Sequence, residues 1–167
     1  MLTRRRFLAL SGFTGVAAAG MVLGFRALPS DSESEGDGPP TISYGSDTCA
    51  HCKMVISDPR FAAAWRDTDG KPSRFDDIGC MVRMHAEMPP ADGATFWVHS
   101  YMDEATIAAG DATFVISDKI LTPMAFGIAA VSTRPEAETL VQQFGGETQA
   151  WHAVLMSGAT NGSQGGH

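Results

Sequence analysis

Cys49 and Cys52 are separated by two residues, and Met54 follows two positions later, so three sulfur donors fall within one short stretch. Thiolates and thioethers are soft donors that together select copper(I), whereas zinc competes for the thiolates alone. His51, inside the same stretch, adds an imidazole. Seven of the nine methionines lie after residue 50, an excess that suits a soft-metal site or ordinary core filling. A c-type haem needs His directly after the second Cys, where Lys53 stands, which excludes it. A thioredoxin-like redox pair opens a helix whose N-terminus lowers one thiol pKa; here the pair precedes a short apolar run, Met54-Val55-Ile56, that reads as a strand. A zinc site could recruit Cys80 and His85, and a Cys49–Cys52 disulfide suits an oxidising compartment. On residue chemistry alone copper(I), zinc and dithiol exchange all stay open. Cys80, Met81, Met84, Met88 and Met156 read as core residues, because helix or strand spacing explains them.

The elements that must position these residues follow from the pattern. Phe61 to Arg66 and Lys71 to Phe75 flank Asp67-Thr68-Asp69-Gly70, a hairpin turn signal. Asp76 or Asp77 can cap a helix running to about Glu87, with Ile78, Met81, Val82 and His85 on one face and Pro89-Pro90 as its stop. Thr95 to Tyr101 reads as a strand. The order then repeats, with strands at Ala112 to Ile116 and Ala125 to Val131. A helix opens at Thr133-Arg134-Pro135-Glu136, buries Ala137, Leu140, Val141 and Phe144, and ends at Gly145-Gly146. Ala150 to Met156 is a last apolar run, helix or strand. The expected fold is one α+β domain with a duplicated β-β-α pattern.

The ends differ from the middle. Residues 1–29 hold Arg4, Arg5, Arg6 and Arg26 and no acid, while the remainder carries 8 basic and 19 acidic residues, a net −11. Such a surface repels phosphate backbones, so nucleic acid is not an expected partner. Arg4-Arg5-Arg6-Phe7-Leu8 and the weakly apolar stretch through Leu23 resemble a twin-arginine export signal. Phe7 to Phe25 would also just suffice as a membrane-spanning anchor, and no cysteine there offers a lipid attachment point. Residues 29–40 are acidic and free of aromatics, the composition of a flexible linker. The expected organisation is an export signal or anchor at 1–28, a linker at 29–40, a folded domain at 41–156 and a tail at 157–167. The expected location is exported: periplasmic or on the outer face of the cytoplasmic membrane. No nucleophile–base pair, paired carboxylates at motif spacing or phosphate loop is present, so a non-enzymatic role is expected.

Asp47-Thr48-Cys49-Ala50-His51-Cys52-Lys53-Met54-Val55-Ile56 resembles the hallmark of the NosL family, copper chaperones of nitrous oxide reductase assembly. Three further segments resemble that family in the same order: Phe75 to Met81, Trp97 to Met102, and Thr122 to Gly127, with Phe144-Gly145-Gly146 closing the following helix. The resemblance covers about residues 44 to 148. It implies two β-β-α-β units, related to a domain of organomercury lyase, and copper(I) as the bound ion. The implied donors are Cys52 and Met54 from the motif and Met124 from the second half, with Cys49 and His51 next. The implied activity is carriage by ligand exchange, and the implied partners are apo nitrous oxide reductase and its membrane assembly complex. Two positions depart from the family pattern: Lys53 and Ala125 stand where glycines flank the two methionines. Neither change removes a ligand, but each restricts local backbone angles.

Overall fold

Ala63 to Arg66 is buried along its whole length, which requires cover on both faces; this strand, β1, is central in its sheet. The computed structural model describes Gly36 and residues 38–158; the expected signal segment, most of the expected linker and nearly all of the expected tail lie outside the described residues. β1 pairs antiparallel with β2 (Pro72–Phe75) and, on its other side, with β3 (Thr95–His99), which in turn pairs with β4 (Thr106–Ala108). The β1–β2 turn is closed by Asp67 and Lys71, whose backbone groups meet at 3.0 Å, with Gly70 at φ 82°.

The second sheet repeats this arrangement. β5 (Thr113–Ile116) lies between β6 (Ile128–Val131) and β7 (Glu147–Ala150), all antiparallel. In both sheets the first strand of the half is flanked by its hairpin partner and by the strand that follows the helix. A parallel bridge between Ser100 and Ala130 and the Tyr101 N–H donating to the Ala130 carbonyl (2.8 Å) join the two halves. The chain therefore forms a small mixed α/β domain with two antiparallel sheets, in keeping with the expected class. Among the described residues no helix is long and apolar enough to cross a membrane.

Helix α1 (Ile78–Glu87) is capped by Asp77, whose carboxylate accepts the Gly79 N–H at 2.8 Å, and it stops before the Pro89-Pro90 pair. Ile78, Cys80, Met81 and Val82 are buried beneath it with Trp65 and Phe75. Helix α2 (Arg134–Phe144) starts from a capping box between Thr133 and Glu136 and ends at Gly145, φ 71°. It covers a second core of Phe61, Val115, Val131, Ala137 and Leu140. The short α3 (Trp151–Met156) sets Trp151 between Phe96 and Phe114, with both ring centroids 5.5 Å away. Full burial of a side chain such as Phe114 contributes about 1.5–3 kcal/mol.

Several elements differ from the sequence reading. Phe61 belongs to a 3-10 turn (Pro59–Phe61), and the strand begins only at Ala63. Met54-Val55-Ile56 is not a strand of a sheet; Val55 makes one isolated bridge to Thr48. Residues 122–127 form a loop, so the strand expected from Ala125 begins at Ile128. The apolar run after Ala150 is helical, and Met88 and Met156 are exposed rather than in the core. Pro40, at the end of the expected linker, is buried. The Arg66 and Arg74 side chains donate to the Gly38 and Thr41 carbonyls on either side of it, at 3.2 and 2.5 Å.

Candidate metal centre

The loop from Asp47 to Ile56 is shaped by its own backbone. Ile56 N–H donates to the Asp47 carbonyl, Cys49 N–H to the Met54 carbonyl and Lys53 N–H to the Cys49 carbonyl, at 2.9, 2.8 and 3.2 Å. Closing so tight a turn puts Lys53 at φ 65°, a conformation rare outside glycine, asparagine and aspartate. Two bonds fix the loop against the first half of the domain: Ala50 N–H to the Arg74 carbonyl (2.8 Å) and Ser57 N–H to the Asp76 carboxylate (3.0 Å). Cys49 is thereby wholly buried, Cys52 is half-buried and Met54 stands 59% exposed.

Cys80 meets this loop from the first turn of α1. Its sulfur and those of Cys49 and Cys52 all lie within 4.8 Å of one another, and none of the three is in a disulfide. With metal–sulfur bonds of about 2.3 Å, two thiolates on opposite sides of an ion are about 4.6 Å apart and three in a trigonal plane about 4.0 Å apart. Separations within that bound require at most a small contraction to hold one ion. The Cys80 S–H donates to the Cys49 sulfur, which also accepts the backbone N–H groups of Asp76, Cys52 and His51. These donors outweigh burial and bring the Cys49 pKa down to about 4. Burial pushes the Cys52 thiol up, and donation to Cys49 together with burial does the same for Cys80. One thiolate is thus preformed beside two thiols, which would release their protons as a metal enters.

The second half approaches the same helix end. Met124, 39% exposed, donates its backbone N–H to the Asp77 carboxylate at 3.0 Å. Thr122 donates its hydroxyl to that carboxylate and accepts the N–H groups of Phe126 and Gly127, at 3.0 and 3.3 Å. Ala125, between them, sits at φ 58°. Phe126 lies so close to Gly79 that a Cβ there would come within 2.1 Å of its ring. Gly79 is therefore what lets the loop press against the first turn of α1.

Of the residues singled out from the sequence, Cys49 and Cys52 are in the thiol cluster. Met54 and Met124 are exposed, the first on the loop of Cys49 and Cys52 and the second on the loop bonded to Asp77 at the start of α1. The His51 imidazole is not part of the cluster; its Nε2 lies 3.3 Å from Glu87, and its Nδ1 is buried with no hydrogen-bond partner among the described residues. Cys80, read as a small buried hydrophobe or, in the zinc alternative, a ligand beside the Cys49–Cys52 pair, is buried and contributes the third sulfur. His85, a possible zinc ligand, instead packs its ring 5.8 Å from Phe96. The available signal for Cys80 was its place three residues after a capping Asp, on a turn where Gly79 permits close approach.

The model of the NosL family matches residues 41–157. The chain belongs to the NosL family. Among solved structures, it is similar to the crystal structure of the copper chaperone NosL from Shewanella denitrificans, with a TM-score of 0.59 and 19% identity. That match covers 70% of this chain and 95% of the other, and at such identity it speaks for a shared fold. No curated protein matches the chain. For a NosL domain, the thiol cluster and the two methionine loops are the features to which a function must be attached.

Proposed function

We propose that this NosL-family protein is a copper(I)-binding metallochaperone, not an enzyme, that works outside the cytoplasm and delivers copper for maturation of nitrous oxide reductase. The observation that carries the reading is the convergence of three thiols from two segments, with only Cys52 partly open to solvent. A cluster of that kind, with thioethers close by in sequence, is soft and suits copper(I). Met54 and Met124 serve as outer donors, and Cys49, Cys52 and Cys80 as the inner ones, with His51 in reserve. The neighbour's description as a copper chaperone supports the same class of cargo. A displaceable thioether on the exposed side leaves room for a recipient's ligand, so the ion leaves by exchange rather than by unfolding. The recipient is apo nitrous oxide reductase, docked with its membrane assembly complex. The twin-arginine-like N-terminus supports export to the periplasm or to the outer face of the cytoplasmic membrane. The shared strand order of the two sheets supports a duplicated β-β-α-β unit of the organomercury-lyase kind.

A second reading rests on the preformed Cys49 thiolate, which suits thiol–disulfide exchange or zinc binding. Titration of the reduced protein with copper(I) against a competing chelator separates the readings. The chaperone reading expects tight one-to-one binding that weakens in Met54→Ala, Met124→Ala and Cys80→Ser. Absence of competition with the chelator, together with redox turnover lost in Cys49→Ser, would replace it with the oxidoreductase. Stoichiometric zinc in the purified protein, with unfolding on chelation, would replace it with a structural zinc site.

A further inference from the structure

Asp77 has no exposed surface, yet every hydrogen bond described for it has a backbone or hydroxyl donor, and among the described residues no ion pair is made to it. One carboxylate oxygen accepts the Gly79 N–H at 2.8 Å, capping the helix that carries Cys80. The other accepts the Met124 N–H at 3.0 Å, from the loop that carries the candidate thioether of the second half. Helix capping alone needs one acceptor oxygen, which serine or asparagine would supply at less desolvation cost. The second oxygen thus has a separate task, spanning 47 residues of sequence to hold one loop.

We propose that Asp77 is a positioning residue that fixes Met124 over the first turn of α1, so that the Cys80-containing thiol cluster and the Met124 thioether act on one ion. This rests on the copper(I) reading above, with Met124 as a donor. Thr122 extends the hold, since its hydroxyl donates to Asp77 while its oxygen accepts from Phe126 and Gly127. The loop is thus fixed at Met124 itself and again just beyond it. Phe126 against Gly79 adds a third point of contact. Residues behind a metal's ligands commonly change its affinity by about 10–100-fold when altered.

The test uses the reduced full-length protein and two metals. Copper(I) reports thiolates and thioethers together, while zinc reports the thiolates alone. Asp77→Asn keeps one carbonyl oxygen for two N–H groups, so it cannot both cap α1 and hold Met124. Asp77→Ser keeps the cap with too short a reach and guards against a variant that does not fold. The expected result is a copper(I) affinity about tenfold or more lower, matching Met124→Ala, with zinc affinity unchanged. The double variant Asp77→Asn/Met124→Ala should be no weaker than Met124→Ala alone. Equal loss of zinc affinity would overturn the proposal, because Asp77 would then merely shape the thiol cluster. Undiminished copper(I) affinity in both Asp77 variants, with Met124→Ala still weakened, would overturn it while leaving the chaperone reading intact. No effect of Met124→Ala would remove the thioether from the site and this inference with it.

Discussion

Lys53 and Ala125 share the left-handed backbone conformation, at φ 65° and 58°, and each is covalently adjacent to one of the two loop methionines, Met54 and Met124. These are the two positions at which the resemblance to the NosL family leads one to expect glycine. The departure from that pattern and the strain in the backbone therefore coincide. A side chain in this conformation costs about 1–2 kcal/mol, while glycine loses back about 0.5–1 kcal/mol through the greater freedom of its unfolded chain. Ala125→Gly should stabilise the protein by about 0.5–1 kcal/mol on that balance. Lys53→Gly should gain less, because the Lys53 ammonium also donates to the Ala50 carbonyl. Denaturant unfolding of the apo proteins measures both. A loss of stability in Ala125→Gly would mean that the loop is not strained as its geometry says.

Cys80→Ala should change the charge state of a neighbour it does not touch in sequence. The Cys80 thiol is the strongest of the donors that hold Cys49 as a thiolate near pKa 4. Without it, burial opposes the remaining backbone donors more effectively, so the Cys49 pKa must rise. Thiolate absorbance followed through an acid titration should show one thiolate persisting well below neutral pH in the parent protein. In Cys80→Ala the same transition should move upward. An unmoved transition would show that the backbone N–H groups alone suffice.

The contrast between Cys52 and Cys80 shows what could be read from the sequence. The Cys49–Cys52 pair is a local pattern, and the capping Asp, the hairpin turn and the Thr133–Glu136 box are equally local, so most elements were legible. The arrival of Cys80 depends on long-range bonds, Ala50 to Arg74 and Ser57 to Asp76, that no periodicity encodes. β7 was missed for a related reason: Glu147 to Ala150 has no apolar alternation and becomes a strand by pairing with β5. Met88 and Met156 fit an apolar stripe but sit where the protein has already ended its core. Hydrophobic type indicated a face there, not its depth.

His99 should make stability depend on pH. Its Nδ1 lies 3.1 Å from the Ala62 carbonyl, so the geometry assigns the proton to that nitrogen. Nε2 is then the acceptor for the hydroxyls of Tyr44 and Thr106, at 3.3 and 3.2 Å. Burial lowers the pKa below 6.5, because the charged ring would lose solvent. The unfolded chain therefore binds the proton more readily than the folded one. The stabilisation is complete above pH 6.5 and is lost as pH falls from there through the folded-state pKa. Thermal unfolding from neutral to mildly acidic pH should show this decline, and His99→Gln should flatten it. An identical decline in the variant would assign the effect to another group.

Gly79→Ala should be a damaging methyl addition at the contact between α1 and the Met124 loop. The new Cβ would fall 2.1 Å from Cγ of Phe126 and 2.4 Å from its Cβ, so the ring root and not only its tip must move. Phe126 in turn follows the loop that Thr122 and Asp77 hold, so a shift there propagates to Met124. Overpacking of this kind costs about 1–3 kcal/mol, against which alanine's better helix propensity returns under about 1 kcal/mol. Equilibrium unfolding should therefore show a net loss for Gly79→Ala. Phe126→Ala will itself be destabilising, since it leaves a gap over α1. In the Phe126→Ala background, however, Gly79→Ala should cost less than in the parent, because the ring is gone and only the Cβ of residue 126, 2.4 Å away, still obstructs it. If the two substitutions instead add, the contact between α1 and the Met124 loop is not the constraint that fixes Gly79.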